Sequence, residues 1–263
     1  MKVAAISVAG LALFLWPFAA SSTPPAATAA ALSLGIVAIL VFIEASTRRL
    51  DARRFALLAA IAAIDAALRL VLVTGLGGFS PIFFLILAAG YVYGPSYGFL
   101  AGSVALLVSA VATGGIGPWL PYEMIGCGFV GLVAGFGGLR RAGPVTWRDV
   151  AVLAAVGVVT GFVYGALLDV WDWTAFYRGT PGFGWQPGLS LPDALGRFGR
   201  FYLTTSLVYD AFRAAGNLIA VMVLGSPVLA GLIRMRSRFS VTVARAGPQP
   251  ALAGPGTEAV SPT

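Results

Sequence analysis

The sequence predicts an all-α fold, a polytopic membrane bundle in which two N-terminal transmembrane helices precede a six-helix body. Three observations carry that expectation. Hydrophobic residues make up 59% of the 263 and charged ones only 10%, with a mean hydropathy of +0.90, a balance foreign to soluble domains. Apolar runs near bilayer length recur along the chain. Twelve of the seventeen basic residues fall at position 2 and within 48–54, 140–148 and 234–245. These are alternate connections of such a bundle, as the positive-inside rule requires of cytoplasmic loops.

That distribution assigns the net charge of +7 to orientation in a lipid bilayer, with no nucleic acid as partner. Both termini then lie in the cytoplasm of a multi-pass cell-membrane protein. The chain has no histidine and one cysteine, Cys127, inside an apolar run. The usual metal ligand, general base and disulfide are therefore missing, and no catalytic constellation, metal site or cofactor can be named.

Residues 3–20 form the first apolar stretch, with one lysine before it and WPFAASSTPP at its end. An anchor helix and a cleaved signal peptide both fit, and cleavage would leave the N-terminus outside. Residues 29–45 make the second span, so 1–46 is a two-helix leader. A basic cytoplasmic linker, 47–54, separates it from the body, 55–233. Residues 234–263 form a basic, then Pro/Gly/Ala/Ser-rich tail expected to be disordered.

The first body span, 55–74, is alanine-rich, and Ala59 and Ala63 at i, i+4 give it a smooth face. Asp65 and Arg69 follow at i, i+4, where a buried pair can neutralise itself. A lone charge at mid-bilayer costs about 2.5–3.5 kcal/mol. Two short runs, 82–93 and 97–113, are joined by the YGPSYG turn. Then comes PWLPYEMIGCGFVGLVAG, 118–135, around which the chain is organised. Two prolines bracket Trp119, Tyr122 and Glu123 occupy the first turn, and Gly131 and Gly135 stand at GxxxG spacing, which admits a neighbouring backbone. Glu123 suits a binding site and equally complements the helix dipole.

Residues 150–170 carry Gly157, Gly161 and Gly165 in a small-xxx-small row and run into LLDVWDWTAFYRGTPGFGWQPG. Asp169, Asp172, Arg178 and tryptophans 171, 173 and 185 make this outer segment either an interfacial aromatic belt or a binding wall for a flat organic molecule. The last span, 201–224, places Asp210, Arg213 and Asn217 on one broad face, which must point into protein or a cavity.

Residues 53–238 resemble the substrate-binding (S) component of an energy-coupling factor (ECF) vitamin transporter. The resemblance is carried by the Ala59 to Ala63 AxxxA spacing, by GGIGPWLPYEMIGCGFVGLVAG and by SLVYDAFRAAGNLIAVMVLGSPVL. It implies a six-helix S component that captures a micronutrient from outside and delivers it with a transmembrane coupling protein and two cytoplasmic ATPase subunits. This chain has no Walker A loop of its own. The family's partner-facing alanines map onto Ala59 and Ala63. Its substrate pocket maps onto Trp119, Tyr122, Glu123, Asp169, Trp171 and Trp173, with Asn217 deeper. The two extra N-terminal helices and the long outer loop depart from the family pattern. Among members for riboflavin, thiamine, biotin, folate and cobalamin, the large aromatic loop looks most like a bulky ligand, and the sequence is similar to cobalamin-type S components.

Two other functions fit the same residues. A proton-coupled secondary transporter would use Asp65 and Asp210 as intramembrane relays, although no internal repeat is evident. A membrane scaffold would need the aromatic loop only as an anchor.

Overall fold

The computed structural model describes residues 2–46, 50–72, 82–138 and 143–239. Helices follow the apolar runs: α1 Lys2–Ala20, α2 Ala26–Ser46, α3 Ala52–Leu72, α4 Phe84–Tyr93, α5 Pro95–Thr113, α6 Leu120–Gly138, α7 Trp147–Ala175, α8 Leu191–Thr205 and α9 Leu207–Phe239. Six of these, α1, α2, α5, α6, α7 and α9, are long and apolar enough to cross a membrane. The body is α3 to α7 with α9, preceded by the two N-terminal helices.

Local chemistry sets the boundaries. Asp51 accepts the backbone N–H of Arg54 at 2.8 Å and opens α3. Gly94, at φ +97°, supplies the left-handed turn that ends α4, and Pro95 then starts α5 where no donor is needed. Thr146 and Asp149 close a capping box at the start of α7, and Asp149 Oδ1 accepts the Tyr91 hydroxyl at 2.8 Å. Ser190 caps α8 through Asp193.

The centre of the body is α4, whose Phe84 and residues 86–92 are buried. Its 10 residues span about 15 Å, half the roughly 30 Å of hydrocarbon, so it survives as an enclosed element. Glycine lets its neighbours close on it. A Cβ on Gly90, Gly98 or Gly131 would run into the facing backbone of α6 or α5, so these helices meet main chain to main chain, as GxxxG spacing permits. Ser103 on α5 donates to the Met124 carbonyl of α6 at 2.9 Å.

The leader helices pack on α6, with α1 also on α7 and α2 also on α5. Helix α3 packs on α5 through Leu57, Leu58, Ile61 and Ala62, and presents Ala56, Ala59, Ala60, Ala63 and Ala67 outward.

Three expected boundaries differ. The 29-residue α7 continues through Ala175, so Asp169, Trp171 and Trp173 are helical residues. At about 44 Å it exceeds the hydrocarbon thickness, which accommodates polar turns beyond the apolar run. The last span starts at Leu207, because residues 201–205 belong to α8, and Ser206 separates the two helices. That span also carries the basic residues 234 and 236 on to Phe239 in helical form. The loop 74–80, the tail beyond 239, and parts of both basic connections (47–49, 139–142) lie outside the described residues.

Candidate functional site

The seam between α7 and α9 gathers the polar groups. Gly157, Gly161 and Gly165 face Asn217, Ala214 and Asp210 in turn, and any side chain at 165 would overlap the Asp210 carboxylate. Gly165 on α7 thus makes room for a charged group on α9. Asp210 is ion-paired with Arg213 and accepts the Tyr202 hydroxyl of α8 at 2.8 Å. Burial, together with that carboxylate, raises the Tyr202 hydroxyl above its usual pKa range, so it stays a donor. Arg213 also donates to the Gly161 carbonyl at 3.3 Å and lies 5.2 Å over the Tyr164 ring.

A second pair stands on α3. Arg69 Nε donates to Asp65 at 2.9 Å, and its Nη2 reaches Cys127 Sγ of α6 at 3.9 Å. Between the two pairs sits Glu123, half-buried, with Arg69, Asp172 and Arg213 within electrostatic reach. Asp169 lies near Asp210, Asp172 and Arg213, with Ser206 beside it. Among the described residues, three buried groups lack hydrogen-bond partners: the Tyr122 hydroxyl, Asp169 Oδ2 and both amide atoms of Asn217. Such groups are costly unless something occupies the space beside them.

An aromatic stack flanks these polar groups. Tyr122 of α6 stacks on Trp171 of α7 with centroids 5.1 Å apart; Phe14 of α1 meets the Tyr122 edge at 5.3 Å, and Phe176 meets Trp171 at 5.2 Å. Tyr122, Glu123, Asp169, Trp171 and Asn217 therefore share the α6–α7–α9 region. Trp173 faces elsewhere, into a satellite core with Trp185 and Phe201, and donates its indole N–H to the Phe183 carbonyl at 2.6 Å. Beside that core lies a cavity of about 490 Å³ bounded by Phe18, Val170, Trp185 and Phe198. Trp119 is 39% exposed, with its N–H turned to the Gly115 carbonyl at 3.2 Å.

Several of these participants had no signal in the sequence. Phe14 lies on a leader helix far along the chain. Tyr164 and Tyr202 carried no pattern, although Tyr164 falls on the same α7 as the glycine row. Arg69 and Arg213 were legible as pair members; their convergence on Glu123 was not, since it depends on how α3 and α9 pack around α6.

The arrangement offers charge, aromatic faces and unpaired polar atoms, suited to holding a small organic molecule. Among the described residues no group of acidic, cysteine or histidine side chains is placed to hold a metal ion. No curated protein and no solved structure matches the chain. The family model for the ECF transporter, substrate-specific component, matches residues 53–225, more than half of the 263, and the chain belongs to that family.

Proposed function

We propose that this chain is the capture subunit of an ATP-driven importer for a vitamin or related micronutrient. The ligand enters from the aromatic end, is held between α6, α7 and α9, and is delivered with a transmembrane coupling protein and two cytoplasmic ATPase subunits. The observation that carries this reading is the Tyr122–Trp171 stack beside Glu123 and Asp169, with buried polar atoms left unpaired. A corrinoid is the first ligand to try, given the size of the aromatic segment. Trp119 is assigned to its rim and Asn217 to its floor, whereas Trp173, packed into the separate aromatic core, is left out of it. The basic ends of α3, α7 and α9 support a cytoplasmic location for both termini.

Asp65 and Asp210 each hold an arginine, an arrangement that favours fixed pairs over a proton relay. A scaffold would gain nothing from the unpaired groups.

Two measurements test the reading. The chain purified alone in detergent is expected to release a small molecule identifiable by mass spectrometry, coloured if it is a corrinoid. Uptake that proceeds with no coupling partner or ATP would reject the importer. The outward alanine face of α3 is the expected docking surface, so Ala59→Leu with Ala63→Leu is expected to abolish uptake and spare ligand binding. Equal loss of binding would assign those alanines to the fold.

A further inference from the structure

We infer that the cavity between α1, α7 and α8 holds an acyl chain of a membrane phospholipid. The inference is independent of the micronutrient site and rests only on the placement of the chain in a bilayer.

The cavity, about 490 Å³, has the size of a small-molecule pocket, but its chemistry is that of hydrocarbon. None of the residues lining it is charged, and apart from the indoles of Trp173 and Trp185 the polar side chains are Ser21 and Gln186. The Trp173 N–H is already spent on the Phe183 carbonyl. A water-soluble micronutrient would bring polar groups that find few partners here. A hydrocarbon chain needs none.

The depth of the cavity follows from α1, a membrane span that ends at Ala20. Leu15, Phe18 and Ser21 line the cavity, so it reaches from the end of that span to about 9 Å along it. The apolar faces of interfacial helices sit about 5–10 Å into the boundary between headgroups and acyl chains. Helix α8 supplies such a face. Leu191, Ala194, Leu195 and Phe198 form one stripe at i, i+3, i+4 and i+7 and line the cavity, while Asp193, Arg200 and Thr204 are exposed on the opposite side of the helix.

The mouth is continuous with the bilayer-facing surface of α1. The protein covers only part of the α8 stripe: Ala194 and Phe198 pack on the core of Trp173, Trp185 and Phe201, whereas Leu191 and Leu195 are 73% and 62% exposed. On α1, Leu15 and Phe18 are 57% and 45% exposed. Exposed apolar residues of a membrane span face lipid, so the lipid that covers α1 at this level also meets the cavity and the two leucines of α8. Arg178, exposed and 5.0 Å over the Trp185 ring, adds a guanidinium for the lipid phosphate. Helix α8 also donates the Tyr202 hydroxyl to Asp210, which ties the lipid site to the α7–α9 seam.

The test uses the full chain in nanodiscs of phosphatidylcholine doped with a phosphatidylcholine that carries a diazirine on one acyl chain. The protein is moved into detergent to strip loosely held lipid, illuminated, and the labelled residues are mapped by mass spectrometry. Label on 15–21, 170–173 and 191–198 is expected to exceed that on Met222 and Val223, exposed residues of the span α9, by about tenfold. Leu191→Gln with Leu195→Gln, a change at exposed positions that should leave the melting temperature unmoved, is expected to remove most of that excess. Ala194→Phe, which adds a ring to the cavity, is expected to do the same. Label no denser at the cavity than on α9, or an excess that survives both changes in folded protein, overturns the inference. Loss of the excess on adding thiamine, riboflavin, biotin or cyanocobalamin overturns it too, by assigning the cavity to the micronutrient.

Discussion

The α4–α5–α6 block and the α7–α9 seam are both built on glycine rows, yet they use them for opposite ends. In the block, Gly90, Gly98 and Gly131 bring backbones into contact, the space is filled, and the one buried hydroxyl between α5 and α6 named above, Ser103, is spent on a carbonyl. In the seam, Gly157, Gly161 and Gly165 make room for Asn217, Ala214 and the Asp210 carboxylate, and polar atoms are left over. The same small residue closes one interface and leaves the other chemically open. A membrane protein without a hydrophobic drive between helices relies on such close packing for a rigid frame. The frame can then support a neighbouring surface that is unfavourable until a ligand arrives.

The sharpest way to break this contrast is Gly131→Leu. Its side chain would enter the Gly98 backbone, with no flexible neighbour to give way, and a cost above about 3 kcal/mol is expected. Size-exclusion chromatography in detergent should show no monodisperse species; a folded variant would deny that the block is the frame. Next is Arg213→Ala, which strands the Asp210 carboxylate and should cost about 3–5 kcal/mol. A thermal melt reads this, and Arg213→Ala combined with Asp210→Ala should recover part of the loss. Trp171→Phe keeps a ring against Tyr122, so the melting temperature should move by only a few degrees while ligand affinity drops about tenfold. Unchanged affinity would remove the stack from the site. The smallest effect belongs to Tyr91→Phe, which deletes the hydroxyl's hydrogen bond to Asp149 and should cost about 1 kcal/mol, with binding unaltered.

The leader helices sharpen the same distinction. They lie outside the matched residues 53–225, yet α1 lays Phe14 on Tyr122 and Phe18 near Trp173 and Trp185. They cover the α6 side and leave the alanines of α3 exposed. Neither fact was legible, because two apolar helices of similar hydropathy give no hint of which body face they choose. Helix α8 was missed for a different reason. Its Phe201, Tyr202 and Leu203 continue the apolar character of α9, and the break at Ser206 has no proline or glycine to announce it. By contrast, the Gly94–Pro95 turn was marked by residues whose backbone chemistry permits little else, while the capping box at Thr146 starts α7 three residues before the expected 150.

By itself the sequence determined that this is a helical membrane protein with a basic and an aromatic end, and that α9 carries Asp210, Arg213 and Asn217 on one face. Those properties are local: hydropathy, charge position and the 3.6-residue period act within a single run of chain. Only the tertiary structure decided that Glu123 faces two arginines from different helices, that Tyr122 stacks on Trp171, and that Trp173 turns into a separate core. Each depends on the register and crossing of helices distant in sequence, which close packing of small residues fixes jointly for the whole bundle.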